Sequence, residues 1–553
     1  MNNTEAQKTT ASPKSYVIVG GVAGGMSCAT RLRRLDPNAR ITVIERSNYV
    51  SYANCGLPYY VGGVIQDEAD LLLQTPASLK ARFDIDVLVG HEATNIDRDA
   101  HKIEVQGIEK GIGTSLDYDY LVLSPGAKAI ALPIPGIESA FQLRTVEDVQ
   151  AITKRLGGKT KSALIIGGGF IGLEVAENLS NRGLQVTIIE ASSQLLPPLD
   201  PEMAALLTDK IQGHGVRIAT STTIEKIENN VATLSDGSTI ASDLFIAAAG
   251  VRPDIAIAQS CGLEIGTRGG IVVDDDLRTN DPAIFAVGDA VEKREFFDSG
   301  ANLVPLANVA NRQGRRAADA IMGRLGADPY TQGTAIVTIF GLNIALTGVN
   351  EKRLSHSDIE IESIHSHPNS HATYFPGAEE MHIKVIASRS DGRILGAQII
   401  GGAGVDKRID VIATAIKTKM KVWELADLEL AYAPQFGSAK DPINMIGYIA
   451  ENRLEGNFRA TQWHEIEEAI ETGVELIDVR DEAEFAQGTI PGAKNIPLNS
   501  LRERYREIAT PNPIVFCRVG QRGHSAQALL VRYGINAKNL DGGIITWQAT
   551  KGI

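Results

Sequence analysis

Twice in this 553-residue chain an apolar run meets a glycine turn, enters a helical pattern and returns as an apolar run ending in glutamate. The copies are SYVIVGGVAGGMSCATRLRRLDPNARITVIER and SALIIGGGFIGLEVAENLSNRGLQVTIIEAS. A strand apolar at every position is buried on both faces, so each copy predicts a parallel sheet covered by helices. The first predicts a strand at Tyr16–Val19, a turn at Gly20–Gly25, a helix at Met26–Leu35 and a second strand closing on Glu45. Its turn carries Gly20, Val22 and Gly25, so valine replaces the middle glycine of the usual pattern. The second copy has all three, Gly167, Gly169 and Gly172, and closes on Glu190. Amides at such a helix start hold a pyrophosphate, and the glutamate takes ribose hydroxyls. Two copies therefore predict two dinucleotides. Glu190 would repel a 2′-phosphate, which favours NADH over NADPH, although basic neighbours can override that preference.

Length and composition narrow the class. A chain this long exceeds one core and predicts several domains. A net charge of −13 without a basic stripe argues against nucleic acid. Four cysteines are too few for a disulfide framework and point to a reducing compartment. The leader, residues 1–14, is polar and reads as disordered, without the apolar stretch of a signal peptide. No apolar run is long enough to span a membrane. The expected setting is the cytoplasm, and no cluster of residues suggests a metal.

TNDPAIFAVGDA places Asp289 after an apolar strand, and YLVLSPGAKA and LFIAAAGVRPD read as strand–glycine crossings between domains. With the two glycine motifs, this constellation resembles the two-dinucleotide flavoprotein disulfide reductases from Tyr16 to about Leu454. The resemblance assigns FAD to the first fold and nicotinamide to the second. It implies FAD contacts at Gly20, Val22, Gly24, Gly25, Glu45, Arg46, Asn54, Ser124, Gly126, Asp289 and Ala307. It implies nicotinamide contacts at Gly167, Gly169, Phe170, Ile171, Gly172, Glu190 and Gly250.

SYANCGLPYYVGG carries Cys55 at the redox position of that fold, where most relatives have two cysteines four residues apart. A single thiol there must cycle through a sulfenic acid or a mixed disulfide with substrate. Cys28 and Cys261 read as structural thiols. Peroxide and oxygen reductases of this fold carry a histidine where Ala23 stands. Here the following helix instead carries Ser27, Arg31 and Arg34 on one face, with Arg33 beside them. Together with SYANC, these residues resemble the coenzyme A disulfide reductases and their persulfide-reducing relatives. The resemblance implies that Ser27, Arg31, Arg34, Ser51, Asn54, Asn311 and Lys440 hold the coenzyme A arm. Arg82 is a further basic candidate, and Asn311 departs from a frequent histidine. It also implies that Tyr374 and Tyr432 reach the thiol from a partner subunit, which predicts a homodimer.

Beyond Gly456 the chain begins again. LIDVRDEAEFAQGTIPGA, VFCRVGQRG and LDGGIITW resemble a rhodanese domain. Cys517 ends a strand and is followed by a loop with Arg518, Gly520 and Arg522. Loop amides and arginines around a thiol favour the thiolate, which can carry sulfane sulfur. The Cys517–Arg522 spacing is one residue short of a phosphatase loop. Asp478 and Arg480 read as braces of the loop.

The fold expected is α/β: two Rossmann-like FAD/NAD(P)-binding domains, an α+β dimerisation domain and a C-terminal α/β rhodanese domain. The boundaries are 15–145 and 266–333 for FAD, 146–265 for NAD(P)H, 334–455 for dimerisation and 458–553 for rhodanese. The implied function is NAD(P)H-dependent reduction of coenzyme A persulfide, polysulfide or disulfide at Cys55, releasing thiol and sulfide, with Cys517 as a second reactive thiol. Alternatives are an NADH peroxidase or oxidase of the same fold, or a sulfur-delivery or redox-sensing protein.

Overall fold

The computed structural model describes residues 12–109, 111–324, 329–456 and 458–551. Most of the expected leader, residues 1–11, lies outside the described residues. The rest forms two compact units. One holds Val175–Ile188 and Thr223–Thr331 with the chain up to Gly167; the other holds Gly168–Glu174, Ile189–Thr222 and the chain from Gln332.

The first unit is built on a five-stranded sheet ordered Asp86–Val89, Arg40–Glu45, Ser15–Val19, Tyr120–Leu123, Ile284–Ala286. All its pairings are parallel, with Ser15 opposite Arg40 and Tyr16 opposite Tyr120. Alternate residues of the central strand enter two separate cores: Tyr16 and Ile18 pack with Met26 and Leu32, while Val17 and Val19 pack with Leu121 and Ile284. That two-sided burial is why the strand shows no alternation in sequence. The helix starts at Ala23, three residues before the expected Met26. Its first turn, residues 23–26, holds two glycines where side chains do not fit: a Cβ on Gly25 would lie 1.9 Å from the Gly20 carbonyl oxygen. The same helix lies against Ala307–Ile321, where a Cβ on Gly314 would come within 2.0 Å of the Gly24 carbonyl oxygen. In the second glycine fold, Leu244–Ala247 runs parallel to Ser162–Ile166.

The second unit carries an antiparallel sheet ordered Ala335–Ile339, Leu342–Gly348, Ile394–Gly401, Met381–Ser388, Ile361–Ser366. The helices Val405–Lys417 and Pro442–Leu454 accompany it. The C-terminal region adds a parallel sheet ordered Ala460–Thr461, Lys538–Leu540, Ile514–Phe516, Leu476–Asp478, Lys494–Asn495.

A chain of buried charges links these pieces of the second unit. Lys384, fully buried, meets Asp200 at 2.9 Å, Glu351 at 3.0 Å and Glu202. His365 lies 2.9 Å from Glu202 through Nε2 and 2.7 Å from Asp541 through Nδ1. Arg453 pairs with Asp541 at 2.5 Å and Glu362 at 3.3 Å. Burial opposes the charge on His365, but Asp541 and Glu202 outweigh it and push its pKa up to about 9. A raised histidine pKa stabilises the fold fully below its ordinary value of 6.5, and that stabilisation fades as pH rises through about 9. Denaturant unfolding should therefore show stability falling across that window by on the order of 3 kcal/mol. His365→Gln should flatten this slope. An unchanged slope in the variant would show that His365 does not carry the charge.

Candidate functional site

The two glycine turns repeat one carboxylate clamp. In the first, Gly21 N–H donates to Glu45 Oε2 at 2.7 Å and Ser47 N–H to Oε1 at 2.8 Å. In the second, Gly168 N–H donates to Glu190 Oε2 at 2.6 Å and Ser192 N–H to Oε1 at 2.8 Å. Each glutamate is thereby fixed at its strand end, with further acceptor sites on its oxygens. Gly20 adopts φ +97° and Gly167 φ +110°, and a Cβ at either would strike a crossing strand: Ser124 O at 2.0 Å, Ala248 O at 2.5 Å. A bare backbone is required at both turns. The helix Phe170–Asn181, with Ile171 and Gly172 in its first turn, follows the second glycine turn directly. Gly126 and Gly250 stand beside the paired strands Ala127–Ala129 and Val251–Pro253, with φ +75° and +94°.

Asp289 sits in the short turn Gly288–Ala290 after the last strand of the first sheet. Burial raises its pKa, against the opposing charges of Lys293 and Arg144. Arg144 has a buried Nη1 with no hydrogen-bond partner among the described residues. Buried Lys293, its pKa pushed down to about 8 by burial, donates to the Gly288 carbonyl at 2.7 Å. Neither Arg144 nor Lys293 was expected from sequence. Lys293, four residues beyond Asp289, was within reach of a local reading, whereas Arg144 lies in an unremarkable loop.

Cys55 occupies the turn Asn54–Gly56 that opens the helix Leu57–Gly62, and it is exposed. The turn is held from behind by Ser51, a non-glycine residue at φ +50° whose N–H donates to the Gly21 carbonyl at 2.7 Å. That bond ties the thiol segment to the first glycine turn. None of the four cysteines is in a disulfide.

The basic helix face divides into residues already engaged and residues left open. Arg33 donates to the carbonyls of Phe83, Pro37 and Asp84, a structural role. Arg31 binds Asp319 at 2.6 Å, and Arg324 and Arg315 approach the same carboxylate at 3.4 and 3.9 Å. Three guanidiniums around one carboxylate leave an excess of positive charge that sequence reading missed, because Arg315, Asp319 and Arg324 lie on or just after a distant helix. Arg34 is exposed, with no ion pair among the described residues. Ser27 donates to Asn311 Oδ1 at 2.5 Å, so these two lie on the same helix seam as Arg31. Arg82 is exposed near the ring of Phe83, and Arg46 is near Glu92 at 3.8 Å. In the second unit, Lys440 is exposed ahead of the helix Pro442–Leu454. Tyr374 and Tyr432 join hydroxyl to hydroxyl at 2.9 Å while 75% and 50% exposed.

At the C-terminal sheet, Cys517 follows the strand Ile514–Phe516 and is buried. Gly520, at φ +89°, caps the helix Gln521–Arg532. Ile544 N–H donates to the Cys517 carbonyl at 2.8 Å. Asp478 and Arg480 form a multiply bonded pair at 2.6–3.0 Å that also holds Thr489 and the Gly488 carbonyl. Sequence reading put Arg518 and Arg522 around the thiol as loop cations. Both are already paired: Arg518 grips Glu380 at 2.6 and 2.8 Å, and Arg522 grips Glu484 at 2.6 and 2.7 Å.

Residues 14–314 match the pyridine nucleotide-disulphide oxidoreductase family, 334–441 its dimerisation domain and 462–550 the rhodanese-like domain. The chain belongs to the pyridine nucleotide-disulphide oxidoreductases. It is 33% identical over 443 residues to a coenzyme A disulfide reductase of Staphylococcus haemolyticus, covering 79% of this chain and 100% of the relative. The reduced Bacillus anthracis CoADR-RHD superposes with TM-score 0.96 at 44% identity, over 97% of this chain and 98% of that one. A NAD-dependent persulfide reductase from A. fulgidus superposes with TM-score 0.91 at 35% identity, over 96% and 100%.

Members of this oxidoreductase family use FAD and a nicotinamide, and the first unit has the features that FAD requires. Its turn is a cradle that a Cβ would fill, and the Arg144 Nη1 is an unpartnered buried donor in the electrostatic neighbourhood of Asp289. Such a donor carries a desolvation penalty unless an acceptor meets it. Arg144→Leu should therefore weaken FAD retention by about tenfold, measured as flavin lost on dialysis, since an unmade charged hydrogen bond is worth about 1.5–3 kcal/mol. Retention equal to wild type would place Arg144 outside the FAD site. No helix of the described residues is long and apolar enough to cross a membrane, and no metal-binding cluster occurs among them.

Proposed function

We propose that this oxidoreductase uses NADH to reduce coenzyme A persulfide and coenzyme A disulfide at Cys55, releasing thiol and, from the persulfide, sulfide. The observation that carries the reading is an exposed single thiol in the turn beside the first glycine loop, in a unit whose helix seam gathers Arg31, Arg315, Arg324 and Arg34. A diphosphate-bearing thiol carrier needs both features. The similarity to a coenzyme A disulfide reductase and to a persulfide reductase supports the same substrate class.

Gly20, Val22, Gly24, Gly25, Glu45, Ser124, Asp289 and Ala307 would hold FAD, and Gly167, Gly169, Gly172 and Glu190 would hold NADH. Bound FAD would supply two-electron transfer between nicotinamide and sulfur. The Cys55 thiolate attacks one sulfur of the substrate S–S bond. That bond breaks, a thiolate leaves from the disulfide or hydrosulfide from the persulfide, and Cys55 becomes half of a mixed disulfide with coenzyme A. Two electrons and a proton from NADH then restore the Cys55 thiolate and free the second thiol. Exposed Tyr374 and Tyr432, carried by the dimerisation domain, would reach the thiol of a partner subunit and protonate the departing sulfur. On this reading Ser27, Ser51, Asn54, Asn311, Arg82 and Lys440 line the route of the pantetheine arm.

NADH oxidation measured against coenzyme A disulfide, coenzyme A persulfide and oxygen, with sulfide followed in parallel, tests the function. Cys55→Ser should accept hydride from NADH yet lose sulfur-substrate turnover by at least about a thousandfold, the nucleophile being gone. Wild-type turnover in that variant, or oxygen as the preferred acceptor, would overturn the reading. Arg34→Ala should raise the KM for coenzyme A disulfide by about tenfold, one charge-assisted phosphate contact, and leave small polysulfides unaffected. Arg31→Ala should affect KM less, because Asp319 already shares its charge. An equal loss for both arginines would show that the Asp319 cluster opens when substrate binds.

A further inference from the structure

Building on the reading of Cys517 as a sulfane-sulfur carrier, we infer that its loop is neutralised by Glu380 and Glu484 and so selects organic persulfides, whose sulfur end carries at most one charge, over compact dianionic donors such as thiosulfate. Three contacts lead there. Arg518 is held by both carboxylate oxygens of Glu380, a residue of the dimerisation domain next to the strand Met381–Ser388. Arg522 is held by both oxygens of Glu484, with Asp481 a further 3.8 Å away from its Nη1. Both pairs are two-pronged, the strongest geometry open to arginine and carboxylate. The loop's two cations thus face three carboxylates, and the net charge at the mouth of the thiol is not positive.

A dianion approaching Cys517 would have to open one of these pairs or enter without a counter-charge. An organic persulfide carries at most one charge on its terminal sulfur and needs neither. Specificity arises as much from this unfavourable charge for the wrong donor as from contacts to the right one. Because the pairs are partly exposed, opening one is feasible, so the expected discrimination is graded rather than absolute.

The chemistry is the same with both donors. The Cys517 thiolate attacks the outer sulfur of R–S–SH, the S–S bond breaks, RS leaves with the proton as RSH, and Cys517 holds the persulfide anion. With thiosulfate the leaving group is sulfite, which departs with two negative charges. Discharge to cyanide returns the thiolate and gives thiocyanate in either case.

The holoenzyme tests this, with thiocyanate formation measured from 2-hydroxyethyl persulfide, whose terminal sulfur is its one ionisable group, and from thiosulfate in wild type, Glu380→Gln, Glu484→Gln and Cys517→Ser. Wild type should favour the persulfide by about a hundredfold in kcat/KM. Glu380→Gln, which frees Arg518, should raise thiosulfate kcat/KM by about tenfold, the worth of one charge-assisted contact. Persulfide transfer and NADH-dependent reduction at Cys55 should stay within about twofold. Glu484→Gln should act in the same direction and serves if Glu380→Gln does not fold. A wild type that takes thiosulfate as readily as persulfide, or a donor ratio unmoved by both glutamine variants, overturns the inference. Full transfer from every donor by Cys517→Ser would instead overturn Cys517 as the carrier and leave the Cys55 chemistry standing.

Discussion

Glu202 bridges two buried cations that face each other in the second unit. His365 and Lys384 stand directly opposite one another on neighbouring antiparallel strands. Two cations at that register repel. Glu202, from the helix Pro201–Gly213, accepts from both, and Asp541 takes the other face of the imidazole. The rest follows from this arrangement: Asp541 immediately precedes the Gly542–Gly543 pair, and the backbone just beyond it holds the Cys517 carbonyl. Burying ions is costly, and an apolar substitute could match the stability. An ionic seam supplies directionality instead. Asp541 meets His365 and Arg453 together, so these ion pairs tie the C-terminal sheet, and with it the thiol loop, to the neighbouring antiparallel sheet.

Whatever was written locally in the sequence was legible. Strand, glycine turn, helix and closing glutamate lie within one stretch, and steric needs at Gly20 and Gly167 leave few other readings. The expected strands and Glu45 and Glu190 stand where the spacing put them. The helix start moved three residues because glycines Gly24 and Gly25 serve as helix as well as turn. The Cys517 loop was legible for the same reason, being a short segment with fixed offsets.

Interactions between distant segments were not legible. Glu380 lies far from Arg518 in the chain and Asp319 far from Arg31, and nothing in either neighbourhood marks them as partners. Lys384 alternates with apolar neighbours in MHIKV as an exposed strand face does, and His365 lies in the mixed run IESIHS, yet both are buried. A lone polar residue in a strand reads as solvent-facing unless its counter-charge is known. Arg144 was hidden for a related reason: its Nη1 has no hydrogen-bond partner among the described residues, so no bonded counter-charge elsewhere in the chain marks it.

The order of strands in the first sheet bears on how the chain is made. Residue 121 pairs with residue 284, and the whole nicotinamide fold is synthesised between them. At ordinary elongation rates the strand Tyr120–Leu123 waits on the order of ten seconds for its neighbour. During that interval a buried, entirely apolar strand is an open edge, the kind that pairs with other nascent chains. Cover over this edge, from a chaperone or from the chain's own helices, therefore matters at a stage when Cys55 is already synthesised and Cys517 is not. A first domain truncated before residue 284 would keep this edge open permanently.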